Sequence, residues 1–329
     1  MKDKIILSLQ PIESCEMYLG GKKAAIAPPE VIHNLKLTLG EGPFWDAKNK
    51  LLWLIDGLSE HGRGDDLYCI DMTTQEVKSW HIGKHLGCAI PSRDGRVLLN
   101  LQDGICLFDP VTEQLEELSD LERDIENNRL NDGKCDSTGR LWFGSMSMTA
   151  NQPDREFEIT GSFYKMEADG TTKKFFDGVG ISNGIAWNKD ETRMYYVDTT
   201  PQAVYAFDFD VTCGEITNRT KIIDIDISEG SPDGMCMDAE GMIWVAHFGG
   251  WKVSRWNPET GERLGEIRLP CAQVTCPTFG GENLDTLYIT TASIGLTEEE
   301  RKAQPLAGCT FAVKPGVKGV LPHDFPGKR

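Results

Sequence analysis

Asp136-Ser137-Thr138-Gly139-Arg140-Leu141-Trp142-Phe143 and Asp238-Ala239-Glu240-Gly241-Met242-Ile243-Trp244-Val245 are two copies of one phrase. Each is a turn rich in Asp and Gly followed by a short apolar strand with a bulky residue in its middle. Looser copies occupy residues 46–55, 93–99, 189–197 and 282–289. The central residues of the six copies are Trp53, Leu98, Trp142, Tyr195, Trp244 and Tyr288, at successive separations of 45, 44, 53, 49 and 44 residues. A period of this length with several short strands per unit is the mark of propeller blades, whereas helical repeats would space apolar residues by three and four. The phrase therefore predicts an all-β chain folded as a six-bladed β-propeller.

Working outward from each marker, a second strand follows at residues 67–71, 105–109, 204–208 and 253–257, so each pair reads as a hairpin. A polar turn and a further apolar strand come next, as at 75–82 and 262–269, which gives about four strands per blade. The extended stretch 31–39 has no unit of its own and is expected to complete the last blade as its outer strand, closing the ring. Residues 31–329 thus read as a single propeller domain, preceded by an irregular extension over 1–30. Longer inserts at 57–66 and 148–160 are expected to form loops over one face, where specificity commonly resides.

Composition narrows the partners. Fifty-one acidic residues against 34 basic give a formal charge of −17, which repels phosphate backbones and anionic lipid and argues against nucleic acid or a membrane as a partner. Most of that charge keeps a folded protein soluble. The ten cysteines lack the paired short spacings of zinc ribbons and redox motifs, and several sit inside apolar strands, as in Tyr68-Cys69-Ile70 and Met235-Cys236-Met237. Reduced thiols of this kind, with no leader-like apolar run after Met1-Lys2-Asp3-Lys4, predict a cytoplasmic protein.

Just before each marker lies the segment expected to form the innermost strand, and its polar residues recur at one register. Glu41 lies 12 residues before Trp53, Asn131 11 before Trp142, Asn183 12 before Tyr195, and Asp233 11 before Trp244. Cys88 and Cys276 hold the same place in the other two units, 10 and 12 residues before their markers. Equivalent register on innermost strands means convergence on the central channel. Taken singly, Asn183-Gly184 and Asp233-Gly234 are turn-forming pairs. Four polar residues at one register point instead to an oxygen-lined site for a hard divalent cation such as Ca²⁺, Mg²⁺ or Mn²⁺, which would also keep two facing carboxylates ionised.

These segments resemble a known family, the gluconolactonase, senescence-marker-protein (regucalcin) and luciferin-regenerating-enzyme-like group of six-bladed propellers. The resemblance rests on Gly40-Glu41-Gly42-Pro43-Phe44-Trp45, Asn128-Arg129-Leu130-Asn131-Asp132-Gly133-Lys134, Ile181-Ser182-Asn183-Gly184, Pro232-Asp233-Gly234-Met235 and Phe279-Gly280-Gly281, and it spans residues 35–320. It implies that Glu41, Asn183 and Asp233 bind one divalent metal ion, Ca²⁺ ahead of Zn²⁺, Mg²⁺ or Mn²⁺. It further implies that Asn131 lies beside the metal, that Arg129 contacts substrate hydroxyl or carbonyl groups, and that Asp233 doubles as the catalytic base. The implied reaction is hydrolysis of a sugar lactone, a small-molecule substrate. Some relatives carry a glutamate about twenty positions after the arginine, contacting the sugar, where this chain has Met148 and Thr149.

Other chemistries fit poorly. Gly178-Val179-Gly180 lacks the third glycine and the helix of a dinucleotide loop, no Gly-x-Ser-x-Gly elbow occurs, and the six histidines show no zinc-ligand spacing. His247 follows an apolar strand near the expected channel mouth. Two further readings stand beside the lactonase: a non-catalytic calcium-binding regulatory propeller, and a hydrolase of organophosphate or other esters using the same metal. A plain protein-interaction scaffold leaves the polar cluster on the channel without a purpose.

Overall fold

Each of the six phrases lies in the second strand of a four-stranded antiparallel blade. The computed structural model describes residues 15–19, 22–58, 65–151 and 155–327. The innermost strands are Gly40–Asp46, Leu86–Pro91, Asn128–Cys135, Ser182–Trp187, Ser231–Met237 and Val274–Gly280, in blades 1 to 6. The markers follow in Leu51–Asp56, Val97–Leu101, Leu141–Ser147, Arg193–Asp198, Ile243–Phe248 and Thr286–Thr291. Each innermost strand packs against its two neighbours around the ring, so the fold is a six-bladed β-propeller.

The bulky marker is tied to its own turn. Trp142 donates its indole N–H to Asp136 at 3.0 Å, and Trp244 donates to Asp238 at 2.9 Å, both inside the protein. The same aspartates cap the turns that precede the strands, accepting from the backbone of Arg140 and Met242. One residue pair therefore sets both the turn and the depth of the ring, which is why the phrase recurs. Apolar side chains fill the layers between neighbouring blades; the largest such layer joins blades 1, 2 and 3.

The ring closes through both ends of the chain. Glu30–His33 pairs antiparallel with Thr310–Val313 as the outer strand of blade 6, shorter than the 31–39 stretch expected from sequence. Leu39 instead bridges Ala292. The extension expected to be irregular contains a hairpin, Cys15–Leu19 with Lys22–Ile26, which adds to the outer edge of blade 5 through Met17 opposite Gly265. Met17 is fully buried there, so an apolar side chain covers an edge that would otherwise stand open. Beyond blade 6, residues 317–327 cross the face where the innermost strands end. Gly319 bridges Asp238 of blade 5, His323 bridges Cys135 of blade 3, and Phe325, buried completely, bridges Ser92 of blade 2.

The nine cysteines from Cys69 to Cys309 are free thiols, all buried except Cys213. No helix among the described residues is long and apolar enough to cross a membrane. The inserts expected over one face leave from the ends of second strands, at the face where innermost strands begin; residues 59–64 and 152–154 within them lie outside the described residues.

Candidate metal and active site

Every innermost strand breaks register at or beside its axis residue: after Glu41, before Cys88, across Asn131, after Asn183, across Asp233 and before Cys276. A bulge leaves backbone unpaired and re-aims the side chain beside it. Six at one level form a ring of irregular backbone around the channel. Asn183-Gly184 and Asp233-Gly234 are thus mid-strand bulges and not turns. Their glycines are required by the next blade, since a Cβ on Gly184 would lie 2.5 Å from the Met235 Cβ and one on Gly234 would lie 2.4 Å from the Cys276 Sγ.

The side chains predicted to converge do so. Asn131 donates through Nδ2 to Asn183 Oδ1 at 3.1 Å and to the Ser182 carbonyl at 2.6 Å. Asn183 in turn donates to Thr199 Oγ1 at 2.8 Å, and Thr199 donates to the Pro232 carbonyl at 2.8 Å. That chain fixes the Asn183 amide with its nitrogen held away and its oxygen turned toward Asn131. Asp233, Asn131, Asn183 and Arg129 are all nine-tenths or more buried, while Glu41 is partly exposed.

Their charges act on one another. Burial, then the neighbouring Asp132, raises the Glu41 carboxyl from its ordinary 4.5 to about 8, against the opposing pull of its bond from Gly42 N and of Arg129 and Lys134. Burial, then Glu41 and Asp132, holds the Asp233 carboxyl well above the ordinary range. Burial lowers the Arg129 guanidinium to about 10 although Glu41 and Asp233 both oppose it. Arg129 donates to the Leu130 carbonyl at 3.2 Å, and its Nε has no partner.

These features fit a hard divalent cation. The donors available are two carboxylates and an oriented amide, all oxygen, and the two carboxylates destabilise one another's ionised form until a positive charge lies between them. Among the described residues no three His, Cys, Asp or Glu side chains form a ready-made metal cluster. The candidate set has only two carboxylates and depends on Asn183 for a third protein ligand.

Asp132 and Lys134 are members of this cluster that the spacing argument passed over. Alternation along a regular strand puts residues 131 and 132 on opposite faces. The bulge between Leu130 and Gly133 brings both to the channel. Asp132 accepts from Gly133 N at 2.8 Å with Oδ1, and its Oδ2 is buried without a partner. Lys134 reaches across the ring from blade 3 to donate to the Met235 carbonyl of blade 5.

Two other predicted features lie apart. His247 is completely buried on the second strand of blade 5, with Nε2 2.6 Å from Ser254 Oγ and Nδ1 3.1 Å from the Glu229 carbonyl, and burial pushes it down to about 4. It is a neutral core histidine. Thr149 is buried in the short turn Met148–Asn151, 2.8 Å from Ser147 Oγ and accepting from Glu158 N at 3.0 Å, so it serves its own loop.

Known proteins resemble this chain over nearly its whole length. The chain is 35% identical to regucalcin of Danio rerio over 299 residues, covering 91% of this chain and 98% of that one. It is equally, 35%, identical over 292 residues to a Bacillus subtilis protein provisionally named a sugar lactone lactonase, covering 89% and 96%. Among solved structures, a luciferin-regenerating enzyme superposes with a TM-score of 0.81 at 31% identity, covering 92% of this chain and all of that one. The calcium-binding protein regucalcin of Agrobacterium tumefaciens superposes with a TM-score of 0.83 at 29% identity, covering 92% and 98%. Residues 39–293 match the SMP-30/Gluconolactonase/LRE-like region along nearly the whole ring, and the chain belongs to that family.

Proposed function

We propose that this protein hydrolyses sugar lactones at the channel mouth, with Glu41, Asn183 and Asp233 holding one divalent cation, Ca²⁺ first among the candidates. The observation that carries the reading is the convergence of Glu41, Asn183 and Asp233 with Arg129 on one ring of bulges. When bound, the cation supplies Lewis acidity to an ester carbonyl and a positive charge beside the developing oxyanion. The Arg129 guanidinium, still charged at neutral pH and with Nε unpartnered, orients a substrate hydroxyl or carbonyl oxygen. Asn131 is held by its bonds to Asn183 and Ser182, with its amide oxygen free to accept from a second sugar hydroxyl. Asp233 takes the proton from the attacking water and returns it to the ring oxygen as the ester C–O bond breaks, giving the open-chain acid. Met148 and Thr149 supply no carboxylate to the sugar, so this chain's lactone differs in its contacts from those of relatives with glutamate there.

Relatives named regucalcin, one of them described as calcium-binding, support a second reading, a calcium-binding propeller without turnover. One experiment separates the two. Acid release is followed at fixed pH across a panel of aldonolactones, with added Ca²⁺ and with chelator. Turnover that chelator abolishes is expected; calcium binding with silence across the panel overturns the lactonase and leaves the second reading.

A further inference from the structure

Asn183 and Asp233 stand on different blades, and their aim depends on residues outside the proposed ligand set. The bulge that turns Asp233 inward takes it and Gly234 out of the ladder, between the pairs Pro232 with His247 and Met235 with Val245. A stretch without ladder bonds is fixed by what holds its two ends. Here both ends are held by side chains from other blades. The Pro232 carbonyl accepts from Thr199 Oγ1 of blade 4 at 2.8 Å, and the Met235 carbonyl accepts from Lys134 Nζ of blade 3.

Thr199 is firmly mounted for this task. It lies just past the second strand of blade 4, where its N–H donates to the Ile181 carbonyl at 3.1 Å and its own carbonyl accepts from Gln202 N and Nε2, both at 3.0 Å. Gln202 Nε2 also donates to Ser231 Oγ at 3.0 Å, so the same turn is tied to the start of the Asp233 strand. A threonine hydroxyl donates one hydrogen bond and can accept others. The buried Thr199 hydroxyl accepts from Asn183 Nδ2 at 2.8 Å while its proton goes to Pro232, which joins the amide of blade 4 to the bulge of blade 5. We propose that Thr199 is a positioning residue of the cation site, its one hydroxyl setting the aim of two of the three ligands together. The proposal rests on the reading of Glu41, Asn183 and Asp233 as those ligands and extends it to the group that holds two of them.

The test uses the full chain and Ca²⁺ as probe, with affinity read by titration calorimetry in the absence of any lactone. Thr199→Val keeps the shape of the side chain and removes the hydroxyl. Ca²⁺ affinity should fall about ten- to hundredfold, the usual cost of losing an outer partner of a metal ligand. Thr199→Ser retains the hydroxyl and should restore most of that affinity. With Ca²⁺ saturating, Thr199→Val should lower kcat for a lactone about tenfold or more with KM little changed, because Asp233 is also the proposed base. Circular dichroism and melting curves monitor the fold; Thr199→Ala, which removes the same hydroxyl without placing a methyl beside Asn183, carries the same expectation should the valine variant not fold. A purely structural threonine would lower the melting temperature and leave the Ca²⁺ affinity of the folded protein as it was. Unchanged Ca²⁺ affinity in Thr199→Val, or affinity still low in Thr199→Ser, overturns the proposal and leaves the lactonase standing. Ca²⁺ affinity that falls and returns as expected, in a protein whose wild type turns over no lactone, supports the proposal and overturns the lactonase.

Discussion

Glu41→Gln should make the metal-free protein more stable at neutral pH while destroying its response to metal. In the folded chain the Glu41 carboxyl sits at about 8, pushed there by burial and then by Asp132, against 4.5 when unfolded. A carboxyl raised on folding keeps a proton that the unfolded chain gives up. Its contribution is complete below pH 4.5 and is lost as pH climbs toward 8, at about 1.4 kcal/mol per pH unit. By pH 7 the loss reaches about 3 kcal/mol, and glutamine, which never ionises, does not suffer it. In chelator, melting curves of wild type and Glu41→Gln should coincide near pH 4.5 and separate to roughly 5 °C at pH 7, the variant higher. Excess Ca²⁺ should then raise the wild type, by about 2.7 kcal/mol at a hundredfold excess over Kd, and leave the variant unmoved. A variant less stable than wild type in chelator at pH 7, or a gap that does not grow with pH, would refute the electrostatic account of the site.

Asp233→Ala should lower kcat for lactone hydrolysis by about 10²- to 10⁴-fold, the usual worth of a general base, with the circular dichroism spectrum intact; retained turnover removes Asp233 from the mechanism. Arg129→Lys keeps the charge but not the planar fork, so kcat/KM should fall about tenfold or more in steady-state kinetics. Phe325→Ala empties a fully buried position under the C-terminal segment and should cost about 3–5 kcal/mol in urea unfolding, with kcat on the folded protein unchanged because the site lies at the other end of the channel.

Where the sequence spoke clearly, a local device was repeated. The aspartate that caps its turn and receives the tryptophan, in Asp136 with Trp142 and Asp238 with Trp244, is written out in order within eight residues and so reveals both blade and register. Glu41, Asn131, Asn183 and Asp233 were legible as a group because register relative to that device is conserved around a ring. Asp132 was not, because reading its direction requires knowing that the strand bulges between Leu130 and Gly133, and a bulge depends on the packing of the adjoining blades. The C-terminal crossing was hidden for a similar reason. Residues 317–327 carry little strand pattern, and their path is set by contacts with blades 2, 3 and 5 that lie far away in sequence. The hairpin in the extension was missed because Met17 finds its apolar surroundings only on the edge of blade 5.

Blade 6 is assembled from residues 274–313 and from Glu30–His33, which are nearly the whole chain apart. A ribosome delivering this domain releases the outer strand of the seam before any of the six blades and its partner Thr310–Val313 only after five of them, so five blades' worth of apolar surface must wait unsealed until blade 6 is made. Joining the two ends then closes the longest loop the molecule can make, a cost that grows only with the logarithm of its length. The same seam is where the folded ring would come undone: a cut that frees either of these two strands takes away the partner of the other.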